Sequence, residues 1–185
     1  TTAQASLTTD TGYALEQRIE GQNLQMIKKG TSNAEKLTLA FWVRSNKTGT
    51  YIAELADMDN SRQCSQAYTI SSANTWEKKV LNYPADTTGA YDNDNATSLK
   101  LRIWVAAGAT YTGGTLATTW ASTSAGNSAV GQVNLVDSTD NEWYITGVQL
   151  EVGEFDSTSI PSFPFESFES NLRKCMRYFQ VFDNQ

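Results

Sequence analysis

The residue types that carry most protein chemistry are scarce in this chain. Histidine is absent, which removes Ser-His and Cys-His nucleophile pairs, imidazole bases and His-ligated metals together. The two cysteines, Cys64 and Cys175, stand far apart and neither belongs to a CxxC pair. Neither a disulfide framework nor a zinc site is therefore expected. The spacing predicts two free thiols in a protein made in a reducing compartment, with Cys175 buried on a helix face. Carboxylates remain as the one common catalytic engine, as in glycoside hydrolysis. Most of them lie in turn-like sequence or at a helix start, so the chain is not read as an enzyme.

Binding chemistry is better represented. Tyr91, Tyr111 and Trp120 stand in polar, loop-like sequence. An aromatic ring there can stack on the apolar face of a pyranose, with neighbouring Asn, Gln, Asp or Arg supplying hydrogen bonds. The alternative is a loop aromatic pinned into the edge of the fold. "YDNDN" (91–95) offers Asp92 and Asp94 as oxygen ligands for a structural calcium but lacks the full loop pattern, so a solvated turn competes. Glu54, Asp57 and Asp59 in "ELADMD" have the same standing. A net charge of −6 and a pI near 4.6 argue against phosphate-backbone binding. No apolar run approaches the ~20 residues of a membrane span.

These residues need elements to position them. "KLTLAFWVRSN" (36–46) places Leu37, Leu39, Phe41 and Val43 at period two, and "SLKLRIWVAAG" (98–108) does the same with Leu99, Leu101, Ile103 and Val105. Strands are also predicted within 13–27, from Tyr51 after a turn at 47–50, at 63–71, at 75–83, in "QVNLVDS" (132–138) and in "EWYITGVQLEV" (142–152). Residues 84–97 read as a surface loop, and the Gly/Ser/Thr-rich 109–131 as a candidate binding loop. Such short strands between frequent turns indicate an all-β antiparallel sandwich. Trp42 and Trp104 are out of phase with their aliphatic neighbours, and so are expected to line a groove or to meet a neighbouring subunit. Phe168, Leu172, Cys175, Met176 and Phe179 make a helical stripe, with Ser167 as N-cap. Residues 1–160 are thus read as the sandwich, and 161–185 as a linker with an amphipathic helix that takes part in an assembly interface.

Six stretches, "LEQRIEGQNLQ", "LTLAFWVRSNKTGTY", "NTWEKK", "LKLRIWVAAGATYTGG", "WYITGVQLEVG" and "PFESFESNLRKCMRYF", occur in this order. Together, over about residues 13–180, they resemble a domain common in bacteriophage tail-fibre and other virion proteins. The resemblance implies a jelly-roll β-sandwich akin to carbohydrate-binding modules, on an external virion appendage assembled in the host cytoplasm. It also implies a homotrimer, contact with other virion proteins and recognition of host-surface glycans; the charge and the lack of a long apolar run separately point away from nucleic-acid binding and membrane insertion. A purely structural decoration or fibre-assembly module is the alternative. Where the related modules hold a calcium-binding Asp in the last strand, this chain has Thr146-Gly147. Where the family has "ALRN", this chain has the acidic "AELADMD".

Overall fold

Period-two patterning buries one face of each strand, and a computed structural model describing residues 2–179 shows how those faces meet. The strands are β1 (Gly12–Glu20), β2 (Leu37–Ser45), β3 (Gly49–Asp57), β4 (Arg62–Ile70), β5 (Glu77–Tyr83), β6 (Thr97–Ala107), β7 (Ala121–Ser122) and β8 (Trp143–Val152). They form two antiparallel sheets, one of five strands in the order β1-β6-β3-β4-β7 and one of three in the order β5-β2-β8. Two helices complete the set, the one-turn α1 (Ala109–Thr112) and the C-terminal α2 (Phe168–Met176).

The core lies between the sheets, where Leu39, Phe41 and Val43 of β2 face Tyr51, Leu55, Leu99 and Ile103. Tyr68 ties the layers together, taking the edge of Phe41 at 5.1 Å and stacking on Tyr51 at 5.6 Å between ring centroids. The expected strands at 36–46, 63–71, 75–83 and 98–108 therefore stand, each within two residues of its predicted ends. Residues 13–27 split: a strand to Glu20, then two short 3-10 turns that carry Leu24 and Ile27 into the core.

Three expectations are corrected. "QVNLVDS" is not a strand; Leu135–Asp137 is a 3-10 turn, because the Asn134 side chain accepts the Val136 N–H and the Val136 carbonyl accepts from Gln4. Residues 84–97 do not simply lie on the surface, since Asp86 and Tyr91 are buried there. Cys175 is exposed rather than buried, while Cys64 is fully enclosed.

The long strand β8 changes phase midway. Ala40 pairs with Gln149 but Trp42 pairs with Thr146, so Gly147 and Val148 together oppose Phe41. Gly147 has φ +60, the left-handed conformation that a bulge of this type uses and that glycine adopts without strain. Before the bulge Trp143 and Ile145 pack on the core; after it Leu150 and Val152 do. Tyr144 and Thr146 face outward, but unbroken alternation does not carry on to Val148: after the bulge it takes the inward parity of Leu150 and lines a cavity with Leu101 and Ile103, while Gln149 turns outward.

Candidate ligand-binding site

The outward-facing residues of the five-stranded sheet form rows across the strands. One row runs Glu16, Arg102, Glu54, Ser65, each directly opposite the next in the register. Arg102 is held between two carboxylates: its Nε is 2.9 Å from Glu16 Oε2 and its Nη1 is 3.5 Å from Glu54 Oε2. Trp104 Nε1 donates to the same Glu54 oxygen at 2.9 Å. Glu54 is buried, and its other carboxylate oxygen receives no hydrogen bond from the described residues. Burial pushes the Glu16 carboxyl up, but hydrogen bonds from Arg102, Arg18 and Lys100 overcome this and hold it at about 2.

Residues 109–131 fold over one end of this face. Ile52, Trp104, Ala107 and Ala129 form a second small core there, flanked by Tyr111 and Leu116. Trp104 therefore faces outward from its strand, as its phase predicts, but is covered by this segment of its own chain rather than lining a groove or meeting a subunit. Several bonds fasten the layer. Gln63 donates to the Ser124 carbonyl and accepts the Ser124 N–H, at 3.0 and 3.1 Å. Ser65 N–H donates to Ala117 O at 2.7 Å, and Ser65 Oγ donates to Ser128 O at 2.8 Å. The Tyr111 ring packs on Trp104 with centroids 5.1 Å apart. Gly12 leaves room for it, since a Cβ at that position would stand 2.9 Å from Tyr111 Cε2.

Where this layer stops, the sheet face opens into a cleft of about 230 Å3. Glu54, Ala56 and Arg102 form its floor; Tyr111, Thr123, Ala125 and Ser128 form one wall; Met58 and Ser61 of the β3–β4 turn form another. It is a concavity with one aromatic wall and the Glu54 carboxyl and Arg102 guanidinium at its base, and such a site orients a polar ligand by hydrogen bonds.

The three aromatics singled out in the sequence are not brought together. Tyr111 lines the cleft. Tyr91 and Trp120 instead lie against Lys29, whose Nζ is 5.2 and 5.7 Å from their ring centroids. Tyr91 is buried, and half-buried Trp120 donates its Nε1 to Pro84 O at 2.8 Å. Lys29 itself is enclosed. It pairs with Asp57 at 2.6 Å and Asp86 at 3.1 Å and donates to the carbonyls of Thr88 and Gly89, both at 2.7 Å. Arg62 completes the cluster on Asp86 at 2.7 Å. Burial drives the Asp86 carboxyl up, but Arg62, Lys29 and the Thr88 N–H more than reverse it, leaving it lowered.

Asp92 and Asp94 are exposed; Asp94 Oδ1 accepts the Ala96 N–H at 2.9 Å. Among the described residues, no three His, Cys, Asp or Glu side chains are grouped to hold a metal ion. The sequence assigned no role to Arg102 or Lys29, and Glu54 was weighed only as a candidate calcium ligand beside Asp57 and Asp59. The outward phase of Glu54 and Arg102 in strongly patterned strands was the signal that could have found them.

On α2, Ser167 caps the helix as expected, its Oγ accepting the Ser170 N–H at 3.2 Å. Phe168, Leu172, Met176 and Phe179 are all exposed, as is Cys175. Arg177 reaches Glu20 of β1 at 2.9 Å, which brings the end of the helix to the edge of the five-stranded sheet. Among the described residues no helix is long and apolar enough to cross a membrane.

Comparison with known proteins places the fold beside no relative: no family model, no curated protein and no solved structure matches the chain.

Proposed function

We propose that this chain is a non-enzymatic attachment domain whose cleft on the five-stranded sheet binds a saccharide. The observation that carries this reading is the fixed Glu54–Arg102 pair under the Tyr111 wall. A carboxylate and a guanidinium side by side can bond adjacent sugar hydroxyls as acceptor and donor, while the Tyr111 ring offers an apolar face. In this reading the sandwich is a jelly roll carried on an external virion appendage of a bacteriophage, supported by the six sequence stretches quoted above. Its partners are a host-surface glycan and other virion proteins, and it requires no cofactor.

The exposed stripe of α2 favours a second role, assembly. Phe168 and Phe179 stand 81% and 74% exposed, far more apolar surface than a lone helix face leaves to water without a partner. Docking on copies of the same chain, as a homotrimer, or on another virion protein would cover it. A glycan array and adsorption to host cells test the first role: wild type binds and Tyr111→Ala does not. Binding that survives both Tyr111→Ala and Arg102→Ala would remove the cleft from the account. Light scattering after chromatography tests the second, because a monomer at micromolar concentration contradicts self-assembly.

A further inference from the structure

Of the fourteen Lys and Arg residues, all but Arg44 and Lys78 have a carboxylate within salt-bridge distance among the described residues. These two cations without a carboxylate in salt-bridge contact lie on the same surface, where one acid, Glu142, is bonded to Tyr144. That surface is the outer face of the β5-β2-β8 sheet, opposite the cleft described above. Lys78 is directly across from Trp42, and Arg44 directly across from Tyr144. Trp42 and Arg44 are two residues apart on one strand and therefore ~7 Å apart on one face.

The same face carries two large aromatics in water, Trp42 and Tyr144, each 44% exposed. Arg44 lies over the Tyr144 ring at 5.6 Å and donates its Nε to Asn74 O at 3.0 Å, which fixes the guanidinium while its two amino nitrogens stay unpaired by carboxylate. Residues 157–163 cross the sheet beside Trp42, held by Gln149 Nε2 donating to Pro161 O at 3.0 Å. Between this strap and the indole is a cleft of about 210 Å3, with Lys78, Gln149, Thr158 and Ser162 on its walls. Gly147 adds no side chain there; a Cβ would stand 3.7 Å from Trp42 Cδ1.

We propose that this face is a second binding site, for an acidic saccharide of the sugar-acid type. A pyranose ring stacks on Trp42 with its hydroxyls toward Thr158, Ser162 and Gln149. Its carboxylate meets the amino nitrogens of Arg44 and the ammonium of Lys78. Two cations suit one or two carboxylates; they are too few to track a phosphate backbone on a protein of net charge −6. The site stands independently of the Tyr111 cleft, because it takes its specificity from charge on the opposite sheet.

Tryptophan fluorescence and calorimetry with oligosaccharides of galacturonate, glucuronate and alginate test it, with maltotetraose and oligothymidylate as controls. At least one uronate series binds, and maltotetraose does not compete for that site. Arg44→Ala, Lys78→Ala and Trp42→Ala each weaken the binding by roughly tenfold, Arg44→Lys retains part of it, and Tyr111→Ala leaves it unchanged. All four face variants are at exposed or half-exposed positions, and unchanged melting curves confirm that each is folded. No uronate binding by folded wild type overturns the proposal, as does equal binding by the Arg44 and Lys78 variants. Tighter binding of oligothymidylate, lost in Trp42→Ala, would overturn it in favour of nucleic acid.

Discussion

Replacing Lys29 by Met tests how the end of the sandwich is held. The Lys29 ammonium contacts two carboxylates, with all three side chains buried, and two loop carbonyls. Breaking a buried ion pair by removing one partner costs about 3–5 kcal/mol, because the remaining charge is left uncompensated. Asp86 keeps Arg62, and Asp57 keeps the N–H groups of Asp59 and Asn60 at 3.0 Å, which places the loss at the lower end, about 3 kcal/mol. In a chain of this length each kcal/mol moves Tm by ~2–4 °C, so Lys29→Met should melt roughly 6–12 °C lower. Adding Asp57→Asn, which removes the stranded charge but keeps an acceptor for the two N–H groups, should recover part of the loss. Calorimetry at pH 7 reads both. A single variant within 2 °C of wild type, or a double variant worse than the sum of its parts, would refute this account of the cluster.

Other expectations follow from individual residues. Gly147→Val forces a β-branched side chain to φ +60 at the bulge and should cost about 1–3 kcal/mol in urea unfolding; no loss would mean that β8 can shift register. Glu16 has its carboxyl held at about 2 against an ordinary 4.5, so its stabilisation is complete above pH 4.5 and disappears as pH falls toward 2. Glu16→Gln should therefore lose stability at pH 7 and show a flatter acid limb over that window. Burial pushes the Cys64 thiol up to about 12, so a thiol reagent at pH 8 should label only exposed Cys175 until the protein unfolds. Leu172→Glu should reduce the apparent mass in light scattering without lowering Tm, since the α2 stripe faces water.

How far the sequence speaks depends on the range of the interaction. Strands β2, β4 and β6 are legible because each repeats one local pattern, and the α2 cap because Ser167 acts on a residue three positions away. The fate of Trp104 was half visible. Its phase shows that it faces away from the main core, but not that Tyr111 and Ala129 cover it from the following segment. "QVNLVDS" was misread because its strand-like residues lose their partners to Asn134 and Gln4. The Lys29 cluster was illegible, since it joins Lys29, Asp57, Arg62 and Asp86 through long-range packing of three separate segments. The same packing took Tyr91 and Trp120 onto Lys29 and left Tyr111 alone at the cleft. Cys175 lies on the predicted helix, but a stripe of apolar residues marks a face without saying whether the monomer covers it.

The central claim is that the cleft on the five-stranded sheet binds a saccharide. The most direct measurement is an amide chemical-shift map of the isotope-labelled protein, titrated with the best-binding glycan of an array. Shifts concentrated at Glu54, Arg102, Tyr111, Thr123 and Ser128, and lost in Tyr111→Ala, are the predicted result. A saturating glycan that leaves those amides unmoved, or that moves them equally in Tyr111→Ala, would contradict it.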